Sequence, residues 1–263
     1  MSEAAEATID LSVILPCYNE EENVAPLTAE LEKVLDGLGL QSEILFVDDA
    51  SSDRTPHVLH ELATRHRRVR VVRHHRNFGE SAAQATGFRH ARGDTLVTMD
   101  SDGQNDPADI PTLVALLEEA DAVCGVRRRR EDDWLRRLSS RVANGFRNAV
   151  TGEQIADAGC TYRALRRSAL VELPVFNGMH RFLPTLLRIQ GFRVVETEVH
   201  HRPRTAGTSK YGVGNRLWRG IADCLAMRWW RGRAVHANRA RGAAATAPEA
   251  RPPESTPHRA PPE

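Results

Sequence analysis

Short apolar segments alternate with longer amphipathic segments along the first half of the chain, and this alternation restricts the possible folds more than any other feature. Residues 11–15 predict a buried strand, which Pro16 ends. Residues 24–38 then place apolar side chains at helical spacing, and Gly37 and Gly39 close the helix. Repeats of this pattern indicate βαβ units with right-handed crossovers. We therefore predict an α/β fold in which helices flank a mostly parallel sheet.

The second half of the chain is less regular. The segment "ADIPTLVALLEEA" after Pro107 predicts one helix, and "DAGCTYRAL" (157–165) is predicted to be a loop. This change of pattern indicates that the second half builds the other wall of a site. We divide the chain into a disordered N-terminus (1–8), the α/β domain (9–212), an amphipathic helix (213–233) and a disordered low-complexity tail (234–263).

Charge and cysteine content exclude some classes of protein. The 36 basic and 35 acidic residues give a net charge of +1, so we expect no nucleic acid as a partner. The cysteines form no CxxC pair, which predicts free thiols in a reducing cytosol. The polar N-terminus predicts no secretory signal, and the lack of a long apolar run predicts no membrane span. We expect a cytoplasmic location.

Three predicted strands end in polar or acidic segments: "PCYNEEEN", "VDDASSDRT" and "MDSDGQNDP". The carboxyl ends of parallel strands meet at one edge of a sheet, where ligands bind. Asp100 and Asp102 are two residues apart and point to the same side if the chain is extended there, and Gln104 follows them. Crowded carboxylates favour Mg²⁺ or Mn²⁺, which also leaves positions for phosphate oxygens. For the pair taken alone, an acidic surface turn is the favoured interpretation.

The ordered motifs "LPCYNEEEN", "VDDASSDRT", "RNFGESAAQATGF", "MDSDGQNDP", "GVRRR", "DAGCTYRALRR" and "RPRTAGTSKYG" resemble those of family-2 glycosyltransferases. They are most similar to the dolichol-phosphate mannosyltransferase type, which glycosylates polyprenyl phosphates. The resemblance spans residues 9–233. It implies a GT-A fold with a Rossmann-like sheet, a nucleotide-diphospho-sugar donor of the GDP-mannose or UDP-glucose type, a divalent metal, and inversion at the sugar.

The resemblance also implies roles for the residues at the strand ends. Asp102 and Gln104 correspond to direct metal ligands, and Asp100 completes the metal set beside the ribose and diphosphate. The sequence "DSDGQ" has Ser and Gly where the family usually has Ala and Leu. The residues matching the nucleotide-sugar site are Pro16, Tyr18, Glu20, Val47, Asp49, Asp100, Ser101, Arg204 and Lys210.

Further matches concern the acceptor and the chemistry. Arg127, Arg136 and Ser140 match the family's acceptor-phosphate contacts. Asp157 matches the position proposed as a catalytic base, but a phosphate monoester is already anionic, so we expect Asp157 to orient the acceptor or the arginines. The implied catalytic residues are Asp102, Asp157, Arg127 and Lys210.

The implied reaction moves a hexose, mannose or glucose, to a polyprenyl or dolichyl phosphate. One alternative keeps the donor chemistry but uses a saccharide or protein hydroxyl as the acceptor, which requires a true base. Another alternative is a nucleotide-sugar-binding module without turnover.

The segment before the tail carries apolar side chains on one predicted helix face and arginines around it. Such a helix can lie in the interface of an anionic bilayer, or it can pack on the protein's own body or on a second copy in a homo-oligomer. The first possibility predicts peripheral attachment at the inner face of the cytoplasmic membrane, directly or through a membrane-anchored partner. The apolar positions are Leu217, Trp218, Ile221, Leu225 and Trp229, and the basic ones are Arg216, Arg219, Arg228, Arg231 and Arg233.

Overall fold

The computed structural model describes residues 8–127, 145–203 and 216–234. Its strands and helices alternate along the first half of the chain, as predicted. In chain order they are β1 (Leu11–Cys17), α1 (Val24–Leu38), β2 (Ser42–Asp48), α2 (Thr55–Arg65), β3 (Val69–Arg73), α3 (Glu80–His90), β4 (Thr95–Thr98), α4 (Ile110–Ala115), β5 (Ala122–Arg127), α5 (145–151), β6 (Arg163–Arg166), α6 (Met179–Ile189), β7 (Val194–Val199) and α7 (Arg216–Arg231).

The strands form one seven-stranded sheet in the order β3-β2-β1-β4-β6-β5-β7. Strand β1 pairs in parallel with β2 and β4, and β2 pairs in parallel with β3. Strand β5 also runs parallel to β7. The predicted mostly parallel sheet is therefore confirmed. The order places the ends of β2, β1 and β4 side by side.

Strand β6 corrects the prediction of a loop over "DAGCTYRAL". It lies antiparallel between β4 and β5, and the register pairs Thr98 with Arg163 and Cys124 with Arg163. Only Ala164 and Leu165 are apolar in this strand of four residues, so its sequence has no strand-like period. The helix predicted after Pro107 is also shorter than expected, because short 3₁₀ turns flank α4 on both sides.

Alternation along the central strands explains the two core layers. Successive side chains of a strand point to opposite faces of the sheet. Val13 and Leu15 of β1 therefore pack with α1 and α2 on one face, whereas Ile14 packs with α3 and α6 on the other. Burying both faces requires near-continuous apolar strands, as "LSVIL" and "EILFV" show. The cysteines at positions 17, 124, 160 and 224 are all free and buried.

Helix α3 approaches β1 closely at Gly87. A Cβ atom at this position would collide with the Ile14 side chain, so only glycine fits there. This contact holds α3 against the sheet, and the N-terminus of the helix follows the loop after β3. The start of α3 thus lies near the carboxyl edge of the sheet, where the acidic strand ends meet.

Helix α7 covers a third apolar cluster. Cys224 and Met227 are buried against Phe182 and Leu186 of α6. This buried face is not the apolar face predicted from the sequence, since Leu225 of the predicted face is 55% exposed and Trp229 is 59% exposed. The helix therefore packs on the body of the protein and also presents an apolar surface. In the described part of the chain no helix is both long and apolar enough to cross a membrane.

Candidate active site at the carboxyl edge of the sheet

The ends of β1, β2 and β4 are joined by short hydrogen bonds. The Asp49 backbone N–H donates to the Cys17 carbonyl at 2.9 Å. The Ser101 hydroxyl donates to the Pro16 carbonyl, also at 2.9 Å. These bonds place the predicted nucleotide-binding residues of three separate segments at one edge of the sheet.

The loop after β1 is anchored to the loop after β2. The Asn19 N–H donates to the Ser51 hydroxyl at 2.9 Å, and the Glu20 N–H donates to the Thr55 hydroxyl at 2.8 Å. Asn19 adopts φ 56°, a left-handed conformation that asparagine tolerates better than most residues. The Glu20 carboxylate accepts from the Asn23 side chain at 2.7 Å. Tyr18, at the start of this loop, remains 36% exposed.

Asp49 is buried and accepts several hydrogen bonds from the protein. Its Oδ1 accepts from the Phe78 N–H at 2.9 Å, and its Oδ2 accepts from the Gly79 N–H at 2.7 Å. The His74 ring nitrogen Nδ1 lies 2.7 Å from Oδ1, and His74 Nε2 lies 2.9 Å from the Thr86 hydroxyl. Asp49 therefore fixes the loop before α3 in place. No ligand spacing distinguishes His74 in the sequence, so its contact with Asp49 was not predicted.

The Asp100–Asp102 pair lies in a tight turn after β4, so the turn and the acidic pair coexist. Asp100 accepts from the Thr161 hydroxyl at 2.7 Å, and Asp102 accepts from the Gln104 N–H at 3.1 Å. Gly103 supplies the left-handed conformation of the turn, with φ 76°. Loss of water raises the pKa of Asp100, and repulsion from Asp102 raises it further. A cation would relieve this unfavourable concentration of negative charge.

The segment after β7 holds this turn from the other side. The Arg202 N–H donates to the Gln104 carbonyl at 2.8 Å, and the Gln104 side-chain nitrogen Nε2 donates to the Arg202 carbonyl at 3.3 Å. The second bond orients the amide and leaves its oxygen as the atom that suits a hard cation. Arg202 also pairs with Asp106 at 2.7 Å. No motif in the sequence indicated this role of Arg202.

Arg127 and Asp157 form a partly buried two-point salt bridge beside the acidic turn. Arg127 Nε donates to Asp157 Oδ2 at 2.7 Å, and Arg127 Nη2 donates to Oδ1 at 2.8 Å. Burial lowers the pKa of Arg127, but the hydrogen-bonded charge of Asp157 outweighs this and raises it overall. Both carboxylate oxygens thus hold the guanidinium in one orientation, as bidentate pairs do.

A buried cation behind the acidic turn was also missed by sequence reasoning. Arg163 is 1% exposed, and its guanidinium donates to the carbonyls of His180 at 2.7 Å and Cys160 at 2.6 Å. Its charge lowers the pKa of Asp100 and partly offsets the effect of burial. A single arginine in "CTYRAL" gives no signal of this placement, because the placement depends on the insertion of β6.

His180 links the beginnings of α3 and α6. The Ser81 hydroxyl lies 2.7 Å from His180 Nδ1 and accepts from the Gly178 N–H at 2.9 Å. Burial lowers the pKa of His180 to about 3, and the charges of Arg181 and Arg163 contribute in the same direction. His180 is therefore neutral at physiological pH and serves as a hydrogen-bonding link between the two helices.

Four of the predicted site residues, Arg136, Ser140, Arg204 and Lys210, lie outside the described residues. Within the described ranges, no three or more His, Cys, Asp or Glu side chains are grouped as a metal site. Asp100, Asp102 and the Gln104 oxygen would therefore hold a cation only together with oxygen atoms from a substrate or water. This arrangement is typical of Mg²⁺ sites that also bind phosphate.

The mostly parallel sheet, its antiparallel strand β6 and the acidic turn at the carboxyl edge define a GT-A-like α/β fold. The sequence profile described as "Glycosyl transferase family 2" matches residues 12–173. The chain belongs to this family.

A curated relative is the undecaprenyl-phosphate 4-deoxy-4-formamido-L-arabinose transferase of Edwardsiella ictaluri (strain 93-146). It is 38% identical over 205 residues, which make up 77% of this chain. The chain spans 63% of the length of that relative.

Two solved structures have the same fold at lower sequence identity. One is glucosyl-3-phosphoglycerate synthase from Mycobacterium tuberculosis with Mn²⁺, UDP and phosphoglyceric acid, at 22% identity and a TM-score of 0.65, covering 90% of this chain and 83% of that one. The other is a mannosyltransferase from Pyrobaculum calidifontis with GDP-Man and Mn²⁺, at 22% identity and a TM-score of 0.55, covering 86% and 65% of the two chains.

Proposed function

We propose that the chain is a metal-dependent, inverting glycosyltransferase that moves a hexose from a nucleotide-diphospho-sugar to a polyprenyl phosphate. The observation that carries this proposal is the Asp100–Asp102 pair, held in a turn at the carboxyl edge beside the Arg127–Asp157 salt bridge. The pair offers ligands for a metal diphosphate. The fixed guanidinium offers a cation for a phosphate group.

The residues of the acidic turn fit Mg²⁺ or Mn²⁺. Their carboxylate and amide oxygens are hard ligands, and the raised pKa of Asp100 shows that negative charge there lacks full compensation. When bound, the metal supplies positive charge to the departing diphosphate. Asp102 and Gln104 would hold it directly, with Asp100 beside them. The Mn²⁺ in the two related structures supports this assignment.

Two observations support a polyprenyl phosphate as the acceptor. Arg127 supplies a cation that suits a phosphate group, and the name of the curated relative specifies undecaprenyl phosphate. An acceptor phosphate oxygen attacks the anomeric carbon of the sugar while the bond from that carbon to the diphosphate breaks. The nucleoside diphosphate leaves with the bonding electron pair, and the configuration inverts. Because the attacking oxygen is already anionic, no proton has to be removed. Asp157 then acts by orienting Arg127.

A panel of nucleotide-sugar donors tests this proposal directly. The chain is incubated with undecaprenyl phosphate, with UDP-glucose, GDP-mannose or related nucleotide sugars, and with Mg²⁺, Mn²⁺ or EDTA. We expect lipid-linked sugar with one donor class and none with EDTA. Transfer only to saccharide or protein hydroxyls would replace the lipid acceptor in this proposal, and binding of nucleotide sugars without any transfer would contradict enzymatic function.

We further propose that α7 attaches the protein to the inner face of the cytoplasmic membrane, or to a membrane-anchored partner, near its lipid acceptor. Leu225 and Trp229 are exposed on this helix, and the guanidinium of Arg233 lies 5.3 Å from the Trp229 ring centroid. Aromatic and aliphatic side chains beside arginines suit the interface of an anionic bilayer. The side chains of Leu217 and Trp218, which belong to the same predicted face, lie outside the described residues.

Replacing both Leu225 and Trp229 with glutamate should abolish co-sedimentation with vesicles of phosphatidylglycerol and phosphatidylethanolamine. The change removes the apolar contact and adds charges that the anionic surface repels. Val171→Glu is the matched control, because Val171 is 80% exposed but does not lie on α7. Unchanged sedimentation of the double variant would contradict membrane attachment through this surface.

A further inference from the structure

The loop between β3 and α3, residues 74–79, carries an exposed aromatic ring at the edge where the acidic strand ends meet. Phe78 is 40% exposed and does not pack into the apolar core clusters. The loop begins directly after β3 and is tied to the end of β2, where the His74 N–H donates to the Asp48 carbonyl at 2.9 Å.

Asp49 determines where this ring lies. Its two oxygens accept from the consecutive N–H groups of Phe78 and Gly79, and Gly79 takes a left-handed conformation at φ 86°. The His74 ring adds a third contact to the same carboxylate. Both Asp49 oxygens thus accept hydrogen bonds from the loop, and Asp49 holds the backbone of Phe78 in position.

The neighbours of the Phe78 ring are cationic or aromatic. The Arg76 guanidinium lies over the ring at 4.7 Å from its centroid. The His75 and His74 rings meet it edge-on, with centroids 5.0 Å and 5.4 Å away. These contacts orient the ring and still leave much of its surface accessible. An oriented, accessible aromatic ring is the usual platform on which a nucleobase stacks.

We propose that Phe78 is a stacking platform for the nucleobase of the donor, and that Asp49 and His74 are the positioning residues that hold it. This inference rests on the proposed function, since it assumes a nucleotide-sugar donor. Every base has an aromatic face, so stacking strengthens binding of both uridine and guanosine nucleotides. Phe78 therefore contributes affinity, and the choice between bases depends on other groups.

The test measures binding of UDP, GDP and inorganic pyrophosphate to the parent chain and to Phe78→Ala in the presence of Mn²⁺ by calorimetry. Loss of one stacking contact should weaken UDP and GDP binding by about 10- to 100-fold. Pyrophosphate has no base, so its affinity should stay the same. Phe78→Tyr keeps the ring and should restore nucleotide binding. Phe146→Ala is the matched control, because it removes another exposed ring, on α5.

The outcomes separate this inference from the proposed function. Equal nucleotide affinity in the parent and in Phe78→Ala would overturn the stacking role and leave the glycosyltransferase proposal intact. An equal loss for pyrophosphate and nucleotides would also overturn it, because the variant would then have disturbed the whole site. Failure of the parent chain to bind any nucleotide would overturn both proposals.

Discussion

Replacing Asp102 with asparagine should lower glycosyl transfer by about 10³-fold or more, because it removes a charged metal ligand whose effect is strongest on the departing diphosphate. The asparagine oxygen can still accept from the Gln104 N–H, so the turn itself should persist. This substitution therefore separates the two interpretations of the acidic pair. A residue that serves only the turn would tolerate asparagine, whereas a metal ligand would not. Two quantities are measured: turnover with the nucleotide sugar that is active in the donor panel, and the shift of the thermal unfolding midpoint on adding Mn²⁺.

The control for Asp102→Asn is Asp94→Asn. Asp94 is an exposed aspartate before β4, and its side chain is 90% accessible. The Asp94→Asn variant should keep full activity and the full shift of the thermal midpoint with Mn²⁺. Near-parental turnover of Asp102→Asn would contradict the proposed role of Asp102 as a ligand of a catalytic metal. A lost thermal shift with intact turnover would show that the metal stabilises the protein without taking part in transfer.

The Asp157→Asn variant should lose only about tenfold in turnover, because its proposed role is to hold Arg127 and not to remove a proton. A general base would cost about 10²- to 10⁴-fold. Arg127→Ala should be more harmful than Asp157→Asn, since it removes the cation itself. If Asp157 acts through Arg127, the double variant should be no worse than Arg127→Ala alone. In Asp157→Asn, the KM for the acceptor should rise, and the pH profile of turnover should keep its shape.

Glu153→Gln provides the matched control for Asp157→Asn. Glu153 pairs with Arg188 at 2.9 Å, so this variant also deprives a partly buried arginine of its partner. The Glu153→Gln variant should lower the stability of the protein and leave the KM for the acceptor unchanged. A loss above about 10³-fold in Asp157→Asn, with disappearance of the acidic limb of the pH profile, would favour a hydroxyl acceptor and a true base.

The acidic pair shows what could be predicted from the sequence and why. Asp100 and Asp102 are only two residues apart and share one turn, so their closeness in sequence alone is enough to crowd their charges. The mostly parallel sheet followed from short strands alternating with helices. The contacts of Asp49 could not be predicted in the same way, because its partners Phe78 and Gly79 donate backbone N–H groups. Every residue type except proline carries that donor, so the residue types there contain no signal.

Helix α7 shows a second limit. Helical periodicity found its apolar positions, but it could not decide which face meets the body of the protein. Cys224 and Met227 form the buried face, and they are no more apolar than Leu225 and Trp229, which stay exposed. The choice depends on the shape and partners of the surface formed by α3 and α6, which is assembled from distant parts of the chain.

The position of β6 has a consequence for the order in which the protein can be assembled. Strands β1 to β4 pair with one another within residues 11–98. Strand β5 can join β4 only through β6, whose residues 163–166 are synthesised much later. Domains can begin to fold during synthesis, and contacts distant in sequence form slowly. The pairing of β1 to β4, which brings together the ends of β1 and β2, can therefore form on the ribosome before the strand carrying Arg127 has a place in the sheet.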